Sequence, residues 1–319
     1  MAARATRLMT LLRRGPGKSR ATAIVMAPLA IGVAIVLAVT TTGAQSQPAR
    51  RIISLVPSLT ETLFAIGAGQ EVVGVDSFSA YPPEVMNVPK VGALVDPDVE
   101  KILSLRPELV ITYGSQAVLE GQLARAGIKT YSYRHGGIAV VLESIKDLGR
   151  ASGHAREADA LARAISTQVD ALRARVKGRP RPRTLLVIDR QPGALRQLYV
   201  SGGVGFLHEM LDAAGGDNVF ADSKMESVQP STETLLARAP QVILEVRADG
   251  LIQPGAVQTE RNVWSALASV PAVRDNKIYF LSGSQLVVPG PRLAQGAEDF
   301  ARALHPELFG ASGGRPSGR

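Results

Sequence analysis

Two segments of this chain repeat each other across a distance the size of a domain. Val99-Glu-Lys-Ile-Leu-Ser-Leu-Arg-Pro-Glu-Leu-Val-Ile111 aligns with Thr232-Glu-Thr-Leu-Leu-Ala-Arg-Ala-Pro-Gln-Val-Ile-Leu244, 133 residues later. Glutamate, leucine and proline coincide, and an apolar run follows the proline in both copies. A second pair, Gly67–Asp76 and Ala213–Asp222, keeps the same order in each half. Only two copies occur, so the chain reads as two similar lobes and not as a repeat array.

Each half alternates short apolar runs with helical patterns. In the first, Arg51–Leu55, Val72–Val75, Leu109–Tyr113 and Lys129–Tyr133 read as strands. Helices are expected over Leu59–Ala68 after a Pro57-Ser58 turn, Asp98–Leu105 and Gln116–Ala126. In the second, strands are expected at Thr184–Ile188, Gln197–Val200, Val242–Val246 and Lys277–Leu281. Helices are expected at Gly205–Ala214, Thr232–Arg238 and Arg292–Leu304. Strands alternating with helices imply largely parallel sheets. Between the halves, His154–Lys177 carries Ala158, Leu161, Ile165, Val169, Leu172 and Val176 at steps of three and four. That is one apolar helix face, about 36 Å long at 1.5 Å per residue. The expected architecture is α/β, two Rossmann-like lobes joined by one long α-helix. The lobes span 50–153 and 182–308, with the helix at 154–178 and a disordered tail at 309–319.

The net charge of +8 suggests nucleic acid until its distribution is read. Residues 1–44 hold six basic residues and no acidic ones, leaving 30 basic against 28 acidic in the rest. A body so near neutrality lacks the field that phosphate binding needs, so no nucleic-acid partner is expected. The leader has a basic start, an apolar run from Ala23 to Val39, and Thr42-Gly43-Ala44 before a cut after Ala44. This is the pattern of a cleaved secretory signal peptide, with a retained anchor helix as the alternative. Either places Gln45 onward outside the cytoplasm, in the periplasm. The chain has no cysteine. That excludes disulfides, thiol catalysis and cysteine metal sites, and a lipoprotein is not expected.

Specific motifs then carry a resemblance. Arg51-Ile-Ile-Ser-Leu-Val-Pro-Ser-Leu-Thr-Glu61, Gly67–Val75, Tyr81-Pro82-Pro83-Glu84, Val91-Gly92, Pro97–Ile111 and Gly290-Pro291-Arg292-Leu293 occur in this order. Together they resemble the helical-backbone metal receptors, the class III substrate-binding proteins of ABC importers, over about residues 50–308. Within that family the chain looks closest to the cobalamin and haem receptors. The resemblance implies a monomeric receptor with no intrinsic cofactor and no enzymatic activity. Its partners would be a permease dimer and a small metal chelate. Cobalamin or another corrinoid comes first, and haem or a ferric siderophore is the alternative.

The family carries a surface glutamate on each lobe that pairs with permease arginines, and the matching positions here are Glu100 and Glu233. The internal repeat aligns the same two residues. As helix-start glutamates they also have a purely structural reading, since a carboxylate there is stabilised by the helix dipole. The ligand is expected at the carboxyl ends of the strands. Tyr81 matches a contacting tyrosine of cobalamin receptors and an iron-ligating one of haem receptors. Tyr113, Arg134 and His135 follow strands and should reach the same rim. His135 can ligate cobalt or iron, or bond a propionate or amide, while His154, His208 and His305 read as structural. The chain also departs from the family. Ser282–Gly290 carries no charge, Lys224–Gln229 contains no aromatic, and Pro289 stands where some haem receptors have methionine. Arg292 reads as a structural helix-start arginine. The uncharged loop favours the amide side chains of a corrinoid over haem propionates.

An exported enzyme is the competing class. Gly203-Val204-Gly205 begins a dinucleotide fingerprint, but His208 stands at its third glycine. Asp189-Arg190 after a strand can form a cleft pair, but no activated nucleophile stands beside it. There is no Walker sequence, Gly-x-Ser-x-Gly or His-Glu-x-x-His.

Overall fold

The computed structural model describes residues 47–247 and 256–310. The expected signal peptide and most of the expected tail lie outside the described residues. The first lobe runs β1 (Ile52–Ser54), α1 (Pro57–Ala65), β2 (Val72–Val75), α2 (Val99–Ser104), β3 (Leu109–Tyr113), α3 (Ala117–Arg125) and β4 (Lys129–Tyr133). Two helices follow, α4 (Ile138–Ser152) and α5 (Ala155–Val176). The second lobe begins with β5 (Arg183–Asp189), β6 (Tyr199–Ser201), α6 (Phe206–Ala213), β7 (Asp217–Asn218) and β8 (Ser227–Val228). It continues through α7 (Thr232–Arg238), β9 (Val242–Arg247), α8 (Ala256–Val263), α9 (Pro271–Arg274), β10 (Ile278–Ser282) and α10 (Leu293–Leu304).

The first sheet is all parallel, in the order β2-β1-β3-β4. The second contains the same parallel order, β7-β5-β9-β10, and adds β6 antiparallel to β5 and β8 antiparallel to β6. The repeat seen in the sequence persists down to single hydrogen bonds. Arg51 Nη2 donates to the Leu105 carbonyl at 2.6 Å, and Arg183 Nη2 to the Arg238 carbonyl at 2.6 Å. The Glu108 N–H donates to the Arg51 carbonyl, and the Gln241 N–H to the Arg183 carbonyl. Arg106 and Ala239, each just before the shared proline, take φ of 47° and 44°. The left-handed residue turns each helix into its strand.

Two boundaries differ from expectation. Pro57 opens α1 instead of forming a separate turn, because its fixed φ suits the first helical position. Phe309 belongs to the fold and not to the tail: the Arg175 guanidinium lies 4.1 Å above its ring.

Strand residues alternate between two buried faces, which is why these strands read as continuous apolar runs. Ile53, Leu55 and Val110 pack with α2 and α3 in an outer core of the first lobe. Leu185, Val187, Ile243 and Phe280 form the outer core of the second with Trp264. Ile52, Ile111, Leu186 and Leu244 point the other way, into one central core shared by both lobes. The buried face of α5 (Ala158, Ala162, Ile165, Val169, Leu172, Val176) lies in that shared core. Helix α5 therefore joins the lobes as expected, but it does not stand alone. It packs against α4, α6 and α10.

Candidate ligand cleft at the strand ends

Tyr113 and Tyr133 are register partners, each closing its strand, β3 and β4. Their rings therefore meet edge to face at 6.0 Å between centroids. His135, two residues beyond β4, closes the group at 5.5 Å from Tyr113 and 5.3 Å from Tyr133. Its imidazole side is exposed, and so is neighbouring Arg134, whose stem packs beside Gly114. Tyr131 turns elsewhere, donating to Asp147 on α4.

Electrostatics separate the phenols by depth. Burial pushes the Tyr113 hydroxyl above its ordinary range, and the Asp76 charge adds to the effect. Tyr133 is only 2% exposed, and its Oη is buried without a hydrogen-bond partner. Burial raises its pKa strongly; Tyr113 and the Glu226 charge push the same way, and the Ser58 hydroxyl pulls modestly against them. Both hydroxyls are neutral at physiological pH, so they suit stacking and hydrogen bonding and are poor phenolate ligands.

Tyr81 is placed by a separate network. Asp76 Oδ1 accepts from the N–H groups of Phe78 and Ser79, folding the turn after β2. Ser79 Oγ donates to Thr60 on α1, and Lys90 Nζ to the Ser79 carbonyl. The loop then reaches Tyr81 with a cis bond to Pro82. Tyr81 is 44% exposed, with the Arg292 guanidinium 3.9 Å from its ring centroid. Arg292 is structural, as expected, but at a junction. It grips Glu61 of α1 through two bonds of 2.9 and 2.6 Å and donates to Ser284 at 2.7 Å. Glu61 belongs to the first lobe and Arg292 to the second, so this part-buried ion pair bridges them. Together with Phe64, Glu84 and Gln295 these residues line a pocket of about 440 Å³.

The four residues expected at the rim thus fall into two groups. Tyr113, Arg134 and His135 sit together at the strand ends, while Tyr81 stands apart with Arg292. Beyond the strand ends the loops expose Phe78 and Val95, and the first turn of α3 exposes Val118, at 73, 91 and 80%. The Leu94 loop is tied in by Gln116, which donates to the Leu94 carbonyl and accepts from Tyr113 N–H. This apolar rim was not singled out from the sequence, where lone valines carry no pattern.

Two expectations are corrected. Arg190 is not a cleft residue: it is fully buried between Glu245 at 3.0 Å and Glu260 at 2.6 Å, with Trp264 Nε1 also donating to Glu245. The uncharged Ser282–Gly290 loop is not wholly free for a ligand, since two of its polar side chains bond within the protein. Ser284 accepts from Arg292, and Gln285 donates to Asp299. The other histidines are structural: His154 precedes α5, His208 pairs with Asn218, and His305 is buried at the end of α10.

Glu100 and Glu233 occupy equivalent places. Each is the second residue of its helix, behind a capping Asp98 or Ser231 that accepts from the backbone three residues on. Both are exposed, and neither forms an ion pair among the described residues. Hydrogen bonds from Ser231 and from its own backbone hold the Glu233 carboxyl below the usual carboxylate range. Among the described residues no helix is long and apolar enough to cross a membrane.

Comparison with known proteins places this geometry. The uncharacterized ABC transporter substrate-binding lipoprotein YvrC of Bacillus subtilis is 31% identical over 82% of this chain and 81% of its own length. The vitamin B12-binding protein of Salmonella typhimurium is 31% identical over 80% of this chain and 90% of its own. The solved haem-binding protein RhuT from Roseiflexus, in apo form, superposes with a TM-score of 0.69 at 29% identity, covering 82% of this chain and 99% of that one. Residues 52–284 match the family described as periplasmic binding protein, and the two-lobed α/β fold agrees with the resemblance read from the motifs. The chain belongs to the periplasmic binding protein family.

Proposed function

We propose that this protein is the extracytoplasmic binding component of an ABC importer that captures a tetrapyrrole-type metal chelate, a corrinoid first. The observation that carries the reading is the Tyr113–Tyr133–His135 cluster at the strand ends, ringed by exposed Phe78, Val95 and Val118. The half-buried Tyr113 ring and the exposed His135 ring, backed by buried Tyr133, suit one broad, rigid macrocycle. A rigid ligand loses little conformational entropy on capture, so a largely preformed site binds it without large closure. Among the described residues no three His, Asp or Glu side chains gather to hold a bare ion. A metal already enclosed in its chelate needs at most an axial ligand, and the exposure of His135 supports it as the candidate.

Haem is the second reading, favoured by exposed Arg134 beside His135: a cation for a propionate next to an iron ligand. In that case Tyr81 is the candidate second iron ligand. The likeness to a vitamin B12-binding protein and to a haem-binding protein supports the two readings alike.

Titrating the purified protein with cyanocobalamin and haemin, followed by its visible band and by calorimetry, tests the proposal. Tyr81→Ala should weaken binding more than about tenfold, or ~1.4 kcal/mol. Unchanged affinity removes Tyr81 from the site. Failure to bind either probe, with tight binding of a ferric siderophore, changes the ligand class and keeps the receptor.

Glu100 and Glu233 are the proposed contacts to a permease dimer. Exposed carboxylates on rigid helix starts make charge-assisted bonds to arginine that orient docking. The Glu100→Ala/Glu233→Ala double variant should bind ligand normally and fail to support uptake. Lost ligand affinity with intact uptake refutes the assignment.

A further inference from the structure

The loop that carries Arg134 and His135 is held by the opposite lobe. Helix α4 begins directly after it, at Ile138, and its capping position is Gly137, which has no side chain to cap with. The missing cap comes from α6 in the second lobe: Glu209 Oε2 accepts from the Ile138 N–H at 2.7 Å. Gly137 is there to admit it, because a Cβ at that position would overlap the Glu209 carboxylate. Gly136 is equally tight, against Val140. The charge is well placed, since a carboxylate at the start of a 15-residue helix meets the positive end of its dipole. Such a bond is also among the stronger backbone contacts a side chain makes.

We infer that Glu209 is a positioning residue that fixes the Arg134–Gly137 loop against Tyr113 and Tyr133, and so ties ligand retention to the angle between the lobes. The link to the ligand rests on the function proposed above. The chain of contacts is short. Glu209 grips the Ile138 amide, two glycines intervene, and His135 lies on the two tyrosine rings. Any motion that carries α6 away from α4 draws the carboxylate off the helix start. The Ile138 N–H then loses its cap, because Gly137 has no side chain to replace it. A receptor built this way holds its ligand while the lobes keep their angle and lets it go when they are spread.

The test uses three variants of the whole protein. Glu209→Ala removes the cap, and Glu209→Gln keeps a carbonyl that can accept from Ile138. Gly137→Ala leaves Glu209 in place but forces it out. Two readouts need no ligand: amide exchange at Ile138, and the ring-proton shifts of His135, which the Tyr113 and Tyr133 rings should displace. Glu209→Ala and Gly137→Ala should each speed Ile138 exchange at least fivefold and return the His135 shifts toward those of a free imidazole. Glu209→Gln should restore most of both, whereas a general loss of stability would speed exchange at the core amides together and not selectively at Ile138. The third readout is the off-rate of whichever probe, cyanocobalamin or haemin, the wild type takes up. It should rise at least fivefold in Glu209→Ala and no further in the Glu209→Ala/Gly137→Ala double variant. Unchanged exchange and shifts overturn the positioning role. Altered exchange with an unchanged off-rate overturns the tie to ligand retention. A wild type that binds neither probe overturns the functional reading instead, and the ligand-free readouts still decide the role of Glu209.

Discussion

Tyr133 holds a buried hydroxyl that makes no well-formed hydrogen bond among the described residues. A buried polar group without a partner is destabilising by about 1–3 kcal/mol, and proteins keep such groups for a reason. Its raised pKa carries a linkage with a definite sign. The unfolded chain ionises first as pH rises past the ordinary tyrosine value of 10.0, so the folded state loses stability from there upward and is unaffected below it. Tyr133→Phe should therefore flatten the fall in stability above about pH 10, read as urea midpoints across pH, and leave stability at pH 7 equal or higher. An unchanged alkaline slope removes Tyr133 as its source. At the lobe junction, Arg292→Lys keeps the charge and loses the two-pronged grip on Glu61 and the flat stack over Tyr81. Lysine does not substitute for guanidinium in such a geometry. A loss of ~1–3 kcal/mol is expected for leaving part of a buried carboxylate unpaired, and an unchanged denaturant midpoint would show the ion pair contributes nothing.

At the scale of elements, the helical hairpin of α4 and α5 is governed by one glycine. In an exposed helix Gly→Ala stabilises by roughly 0.8–1.0 kcal/mol. At Gly149 the new methyl would overlap Ala158 on α5 and press on the His154 carbonyl. Overpacking of about 1–3 kcal/mol outweighs the gain in helix propensity, so Gly149→Ala should lower the melting temperature, and adding Ala158→Gly should recover part of it. A stabilised Gly149→Ala would mean the helices separate more readily than their packing implies. The hairpin also marks where sequence reading stopped. Helix α5 was legible because its apolar face repeats without interruption over six positions. Helix α4 has a comparable face, Ile138, Val141, Ile145 and Leu148, but it starts on two glycines with its cap in another lobe, so it carries no local start signal. The same physics divides the site. Tyr113, Arg134 and His135 are read as rim candidates because strand ends are local, and Tyr81 because of the family motif around Pro82-Pro83. Glu61 and Glu209 act through partners 231 and 71 residues away, and no spacing in one chain announces such a pair. Arg190 failed in the opposite sense: a charged residue after a strand looks exposed until Glu245 and Glu260 are brought around it.

For the whole molecule, the duplicated parallel order and the matched bonds at Arg51 and Arg183 make the lobes near copies, and the central core makes them inseparable. Ile52 and Ile111 from one sheet and Leu186 and Leu244 from the other bury against the same helices, α5 among them. Apolar burial stabilises by about 25 cal/mol per Å², so splitting the lobes exposes a full inner face on each. Calorimetry should accordingly show one transition whose van't Hoff and calorimetric enthalpies agree; two resolved transitions would mean each lobe is stable alone. For synthesis on the ribosome, this shared core imposes an order of events. The first lobe emerges with its outer core complete and with α4 and α5 laid on its inner wall, but α10, which completes the shared core, begins only at Leu293. A chain emerging in that order keeps apolar surface open until its last helix is made.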